Sequence, residues 1–218
     1  MWMAGIVACF VAAALAWRCA AMHPRHRPIA LFLFSQLAAD VARRALALLN
    51  APAYAAAAGA PLEGWARIRF HGDELLHLSW PAGLVATSAL VFLDGPWRRR
   101  VAALAGLAGA LGAVALALAY PAVRRDRLAT VYALGDLVAV ATVVALALPW
   151  IRRRLWPSIA ELSILILLAL ELVALLRWSP FHLGWDWQAR AYTTAYLVLA
   201  ALFGGELLWK SLKKPRSS

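Results

Sequence analysis

Apolar residues in this chain run in long unbroken stretches rather than in the alternation or helical stripes of soluble elements. A window of about 19 residues separates seven of them, at residues 2–21, 28–49, 74–93, 100–120, 128–149, 158–176 and 190–209. Each is near the ~20 residues that a helix needs to cross ~30 Å of hydrocarbon. The pattern predicts an all-α polytopic membrane protein, a seven-transmembrane-helix bundle forming one domain over residues 1–218. The connections are too short to hold a second domain.

Aromatic residues support these boundaries. Trp65, Trp80, Trp97, Tyr120, Trp150, Trp156, Trp178, Trp185, Trp187 and Trp209 fall at segment ends, as an interfacial belt requires. The first segment has no basic residues before its apolar run, and its first charge is Arg18. It reads as a retained helix rather than a cleaved signal.

Composition agrees with a lipid-solvated chain. Of 218 residues, 64% are hydrophobic and 15% charged, against about 25% charged in a soluble domain. Charge then orients the bundle. With the N-terminus outside, 13 of the 22 Lys and Arg residues lie on the cytoplasmic side, including the triplets Arg98–Arg100 and Arg152–Arg154, and nine lie outside. The expected topology is N-terminus outside and C-terminus cytoplasmic, in a bacterial inner membrane or its equivalent. The net charge of +11 follows from this arrangement beside anionic lipid. No basic patch interleaved with aromatic residues suggests nucleic acid. Cys9 and Cys19, ten residues apart on one helix, are too distant to bridge within the chain.

Two segments have features of their own. The fourth carries Gly106, Gly109 and Gly112, a spacing that predicts close approach to a neighbour, in a central position or at a protomer contact. Residues 50–72, the longest connection, contain Pro and Gly that argue against a regular span, while "YAAAA" suits a short helix.

Ionisable residues inside membrane segments are costly, and they face the bundle interior or water. Asp40, Arg43, Arg44, Glu74, His77, Asp136, Glu171, His182 and Asp186 all belong to the expected outer half. The inner half has Glu161 and Glu206, each near an interface. A polar cavity opening outward is the simplest arrangement that solvates the outer set. The plainer alternative is a set of structural ion pairs, Asp40 with Arg44 foremost, since i,i+4 residues share a face. Asp136 either pairs with Arg43 or shares a water-filled pocket with Glu171.

The stretch "RFHGDELLHLSW" places His71, Asp73, Glu74 and His77 at the mouth of the third segment. His71, Glu74 and His77 follow one another at helical i,i+3 spacing and suit one zinc or similar ion. Glu-x-x-His pairs also build di-metal bundles, but those need the motif twice. The bland alternative is a helix start with Asp73 and Glu74 in its first turn. No G-x-S-x-G, C-x-x-C or phosphate-loop pattern occurs.

The expected function is a membrane binding, transport or sensor-type protein for a small molecule or ion. A membrane-embedded enzyme using carboxylates or a metal, and a structural subunit among membrane-protein partners, are the competing classes. The topology has a direct test. A reporter fused after Lys214 should read cytoplasmic and one inserted near Gly59 should read outside, whereas opposite readings at both points would overturn the orientation.

Overall fold

The computed structural model of the chain describes residues 2–56, 79–119, 125–153, 157–177 and 185–213. Among these residues there are seven α-helices, one short 3-10 turn and no strand. The helices are α1 (Trp2–Met22), α2 (Arg27–Ala56), α3 (Ser79–Phe92), α4 (Pro96–Ala119), α5 (Arg125–Ile151), α6 (Ile159–Arg177) and α7 (Trp185–Lys213). The 3-10 turn Pro24–His26 joins α1 to α2. Three stretches, Met3–Met22, Tyr132–Ile151 and Trp187–Lys213, are long and apolar enough to cross a membrane.

Helix boundaries depart from the sequence expectation mainly by extension. Helix α2 runs on to Ala56, so residues 50–56 are helical rather than loop. The alanines of "NAPAYAA" have high helix propensity and carry the helix past Pro52, despite the usual cost of an interior proline. Helix α7 begins at Trp185 and ends at Lys213, several residues beyond the predicted span at each end.

Helix α6 starts at a capping box. The Ser158 backbone N–H donates to Glu161 Oε2 at 2.7 Å, and its hydroxyl donates to the same oxygen at 2.6 Å. The Glu161 N–H donates back to Ser158 Oγ at 3.4 Å. Orphan donors of the first turn are thereby satisfied. Glu161, expected near an interface where water or snorkelling is easy, is buried, because its carboxylate is consumed by this cap.

Helices α1 and α7 run parallel in close contact. Gly5 lies beside Thr193, Cys9 beside Tyr196, Leu15 beside Gly204 and Cys19 beside Phe203. The buried face of α1 is built from small residues, namely Ala8, Cys9, Ala12, Ala13, Ala16 and Cys19. Its large residues Met3, Val7, Phe10 and Trp17 point outward. This is the reverse of a soluble helix. In lipid, association relies on close van der Waals packing, which small residues permit.

Both cysteines are free thiols. The Cys9 thiol donates to the Leu33 carbonyl of α2 at 3.6 Å, and the Cys19 thiol to the Phe203 carbonyl of α7 at 3.5 Å. The core continues through Ile29 and Leu33 of α2, Leu84 of α3, Val143 of α5, Ile164 and Leu167 of α6, and Leu199 and Phe203 of α7. Outside it, α4 exposes Leu104, Leu107, Leu111 and Val114 at helical spacing. An apolar surface of this kind is suited to lipid or to a partner helix.

Helix α4 is therefore peripheral along this face, not central as its glycines suggested. Of the three, only Gly109 meets a close neighbour: a Cβ there would stand 2.4 Å from Ala82 Cβ of α3, while Gly106 and Gly112 face open space. Steps of three residues turn the helix by about −60° each, so Gly106 and Gly112 fall to either side of the contact. Gly109→Ala is expected to cost about 1–3 kcal/mol through overpacking, with Gly106→Ala and Gly112→Ala near neutral. Thermal unfolding of the three variants in detergent checks this; equal behaviour would remove Gly109 from the α3–α4 contact.

Candidate functional site

Polar side chains converge at one level of the bundle, on the side where α1 and α7 begin. Asp136 of α5 and Glu171 of α6 face one another, and the indole of Trp80 from α3 faces Glu171 as well. Glu171 is fully buried, and neither of its carboxyl oxygens has a hydrogen-bond partner of normal geometry. The Trp80 Nε1 is likewise buried without an acceptor. Donor and acceptors thus stand close to one another without completing a hydrogen bond, an expensive arrangement for buried polar atoms.

An aromatic chain lines this level. Phe32 and Trp80 have ring centroids 5.1 Å apart, Trp80 and Tyr192 5.3 Å, and Tyr192 and Tyr196 6.2 Å. Gly83 makes the Phe32–Trp80 contact fit, since a Cβ there would lie 2.9 Å from the Phe32 ring. Tyr196 hydrogen-bonds the Cys9 side chain, and Asp40 of α2 lies within electrostatic reach of both. The level therefore draws on α1, α2, α3, α5, α6 and α7.

The expected site residues are distributed as follows. Asp136 and Glu171 come together, and Asp40 faces the α1–α7 seam. Arg43 and Arg44 lie on α2 and Asp186 in the first turn of α7, with side chains outside the described set. His71, Glu74, His77 and His182 lie outside the described residues, and with them the expected zinc trio. Among the described residues, no group of three or more His, Cys, Asp or Glu side chains is arranged to hold a metal ion.

At the opposite end, the structure assembles a cluster that sequence reasoning missed. Glu206 Oε2 lies 3.1 Å from His26 Nε2, and Oε1 lies 3.5 Å from both His23 Nε2 and Lys210 Nζ. Lys210 Nζ also contacts His23 Nε2. The Glu206 side chain is 12% exposed and that of His26 5%. Glu206, expected near an interface and within reach of water, is instead enclosed by these partners. The imidazole of His26 stacks edge-on against Phe203, at 5.5 Å between centroids. The cluster ties the α1–α2 turn to the last turns of α7. Only Glu206 and Lys210, spaced by four, carried a sequence signal; nothing links them to positions 23 and 26.

Comparison with protein-family models, with curated proteins and with solved structures finds no match to this chain. The site is therefore read from its own chemistry.

Burial holds His26 below the usual histidine pKa of 6.5, and neighbouring His23 and Lys210 push the same way while Glu206 opposes them. A depressed folded value means that its contribution to stability is present above pH 6.5 and is lost as pH falls through the folded value. Melting temperature should thus drop on acidification below about pH 6.5, and His26→Gln should flatten that dependence. Glu206→Ala should cost about 1–3 kcal/mol at neutral pH, because it removes the carboxylate that His23, His26 and Lys210 surround. Unchanged pH profiles in His26→Gln would remove the cluster from this role.

Proposed function

We propose that the chain is an integral membrane protein of the binding, transport or sensor type, with its ligand site at the level of Asp136 and Glu171. The proposed topology has seven crossings, with the N-terminus outside and the C-terminus cytoplasmic, in a bacterial inner membrane. Three observations support the membrane setting: three helices of spanning length, the apolar outward faces of α1, α4, α5 and α7, and the basic–aromatic pairs described next. Arg27 stacks over Trp17, Arg100 over Trp97 and Lys213 over Trp209, at 4.5–5.9 Å. All three pairs lie at the end holding Glu206, which supports placing that end against anionic lipid heads.

The observation that carries the functional reading is Glu171. A carboxyl group that is fully buried, faces a second acid and makes no hydrogen bond of normal geometry is poorly explained as a structural element. Replacing it with leucine would remove a desolvation cost of several kcal/mol. In a membrane bundle such a residue is placed for a ligand or ion. The arrangement favours a small cationic species, for which two carboxyl groups supply the charge complement.

A thermal-shift panel on the purified protein tests this, using H+ (pH 5 to 8), Na+, K+, Mg2+ and ammonium. At least one should raise the melting temperature of the wild type by several degrees, and the response should vanish in both Glu171→Gln and Asp136→Asn. A wild type that responds to none of them, or variants that respond fully, would overturn the reading.

A further inference from the structure

The end of the bundle that holds Glu206 carries a second device, independent of the ligand reading at Asp136 and Glu171. There the turn Pro24–His26 is fastened to α7 by side chains at short range. Glu206 Oε2 stands 3.1 Å from His26 Nε2, and Oε1 stands 3.5 Å from both His23 Nε2 and Lys210 Nζ. Lys210 donates to His23 Nε2, so that nitrogen is the bare one of a neutral ring. With a carboxylate oxygen beside it, His26 Nε2 carries the hydrogen of its own neutral ring. One carboxylate and one ammonium then balance.

A proton on His26 upsets this balance twice. It adds a positive charge that Glu206, already matched by Lys210, does not compensate. It also places a hydrogen on Nδ1, which is buried with no hydrogen-bond partner among the described residues. An imidazolium donates from both nitrogens, and a buried donor without an acceptor is costly. The groups facing His26 are His23 of the turn, and Glu206 and Lys210 of α7, with the Cys19 thiol of α1 beside Glu206. The remaining cations of this region point elsewhere: Arg25 to Asp94 at 3.8 Å, Arg27 over Trp17, and Arg18 into the surroundings.

Moving the turn into water relieves both costs, and little else has to move. The deeper contacts of α1 with α7, Gly5 beside Thr193 and Cys9 beside Tyr196, make no use of the turn. We propose that the His23–His26–Glu206–Lys210 cluster is an acid-released latch, in which a proton taken up at His26 frees the α1–α2 turn from α7 while the deeper seam stays packed. Burial holds the closed His26 below the usual histidine value, so release is favoured as pH falls below about 6.5. For one proton the gain is at most about tenfold per pH unit. His23, with a side chain 52% exposed, is not the trigger, because a proton there is shared with solvent.

The two cysteines supply the readout. Cys19 lies one helical turn before His23, is buried, and rests its thiol on the Phe203 carbonyl at 3.5 Å beneath Glu206. Cys9 is buried in the deeper seam. A fall in melting temperature would accompany a rigid cluster equally well, whereas selective exposure of Cys19 would not. Labelling of the full chain in lipid with a pyridyl disulfide, which reacts with thiols in mild acid, is read at each cysteine by peptide mass spectrometry. From about pH 7.5 to about pH 5.5, labelling of Cys19 relative to Cys9 should rise about fivefold or more in the wild type. His23→Gln should keep that rise, and His26→Gln should lose it. His26→Phe, which keeps a ring beside Phe203 and takes no proton, should lose it as well. A flat ratio in the wild type overturns the latch on its own, as does a parallel rise at both cysteines. A rise that survives in His26→Gln and His26→Phe, or that disappears in His23→Gln alone, overturns His26 as the trigger.

Discussion

The contact on which the rest of the bundle depends is the close parallel approach of α1 to α7. In the membrane setting proposed above, no hydrophobic effect pulls two helices together, so proximity must come from shape. The small inward face of α1 (Ala8, Cys9, Ala12, Ala13, Ala16 and Cys19) supplies it. One seam then reaches both polar clusters. Near its start, Cys9 meets Tyr196, the first ring of the aromatic chain that passes through Trp80 to Phe32. Near its finish, the α1–α2 turn delivers His23 and His26 to Glu206.

The two clusters obey different rules. At the Glu206 end, each carboxylate oxygen has a basic neighbour within 4 Å, although Oε2 itself completes no hydrogen bond of normal geometry. Its geometry is that of a fastening. At the Asp136–Glu171 level, acid faces acid, and the nearest donor stops short of a hydrogen bond. A fold selected for stability alone would fill that position with an apolar side chain of similar volume. Rigid small-residue packing along α1 and α7 is what allows the bundle to tolerate a polar level in its interior, because stability is concentrated elsewhere.

Segmentation into helices was legible because long apolar runs separated by short polar connections mark them, and three of the helices have the length and apolarity to cross a membrane. Depth was legible only coarsely: counting residues from the helix ends put Asp136 near mid-depth and Glu171 in the outer third, whereas the two side chains face one another. Rotation about each helix axis was not. It is set by packing against neighbours, so the sequence left Asp136 open to Arg43 or to Glu171, and it left α4 free to be central. The Ser158–Glu161 box has the Ser-x-x-Glu form that precedes an apolar helix, a local signal distinct from the interfacial place expected of Glu161. The His23–His26–Glu206 cluster joins the α1–α2 turn to the last helix, and no local spacing announces a contact of that separation.

The polar level also explains why the packing around it is aromatic. Leucine or valine beside Glu171 would offer dispersion but no polar edge, whereas Trp80 presents an N–H from a body that is otherwise apolar. Rings packed edge to face or tilted at 5.1–6.2 Å are also stiff, with two side-chain torsions each. A donor carried on such a ring holds its direction when the charge beside it changes. Flexible lysine or arginine in the same place would follow that charge and neutralise it permanently.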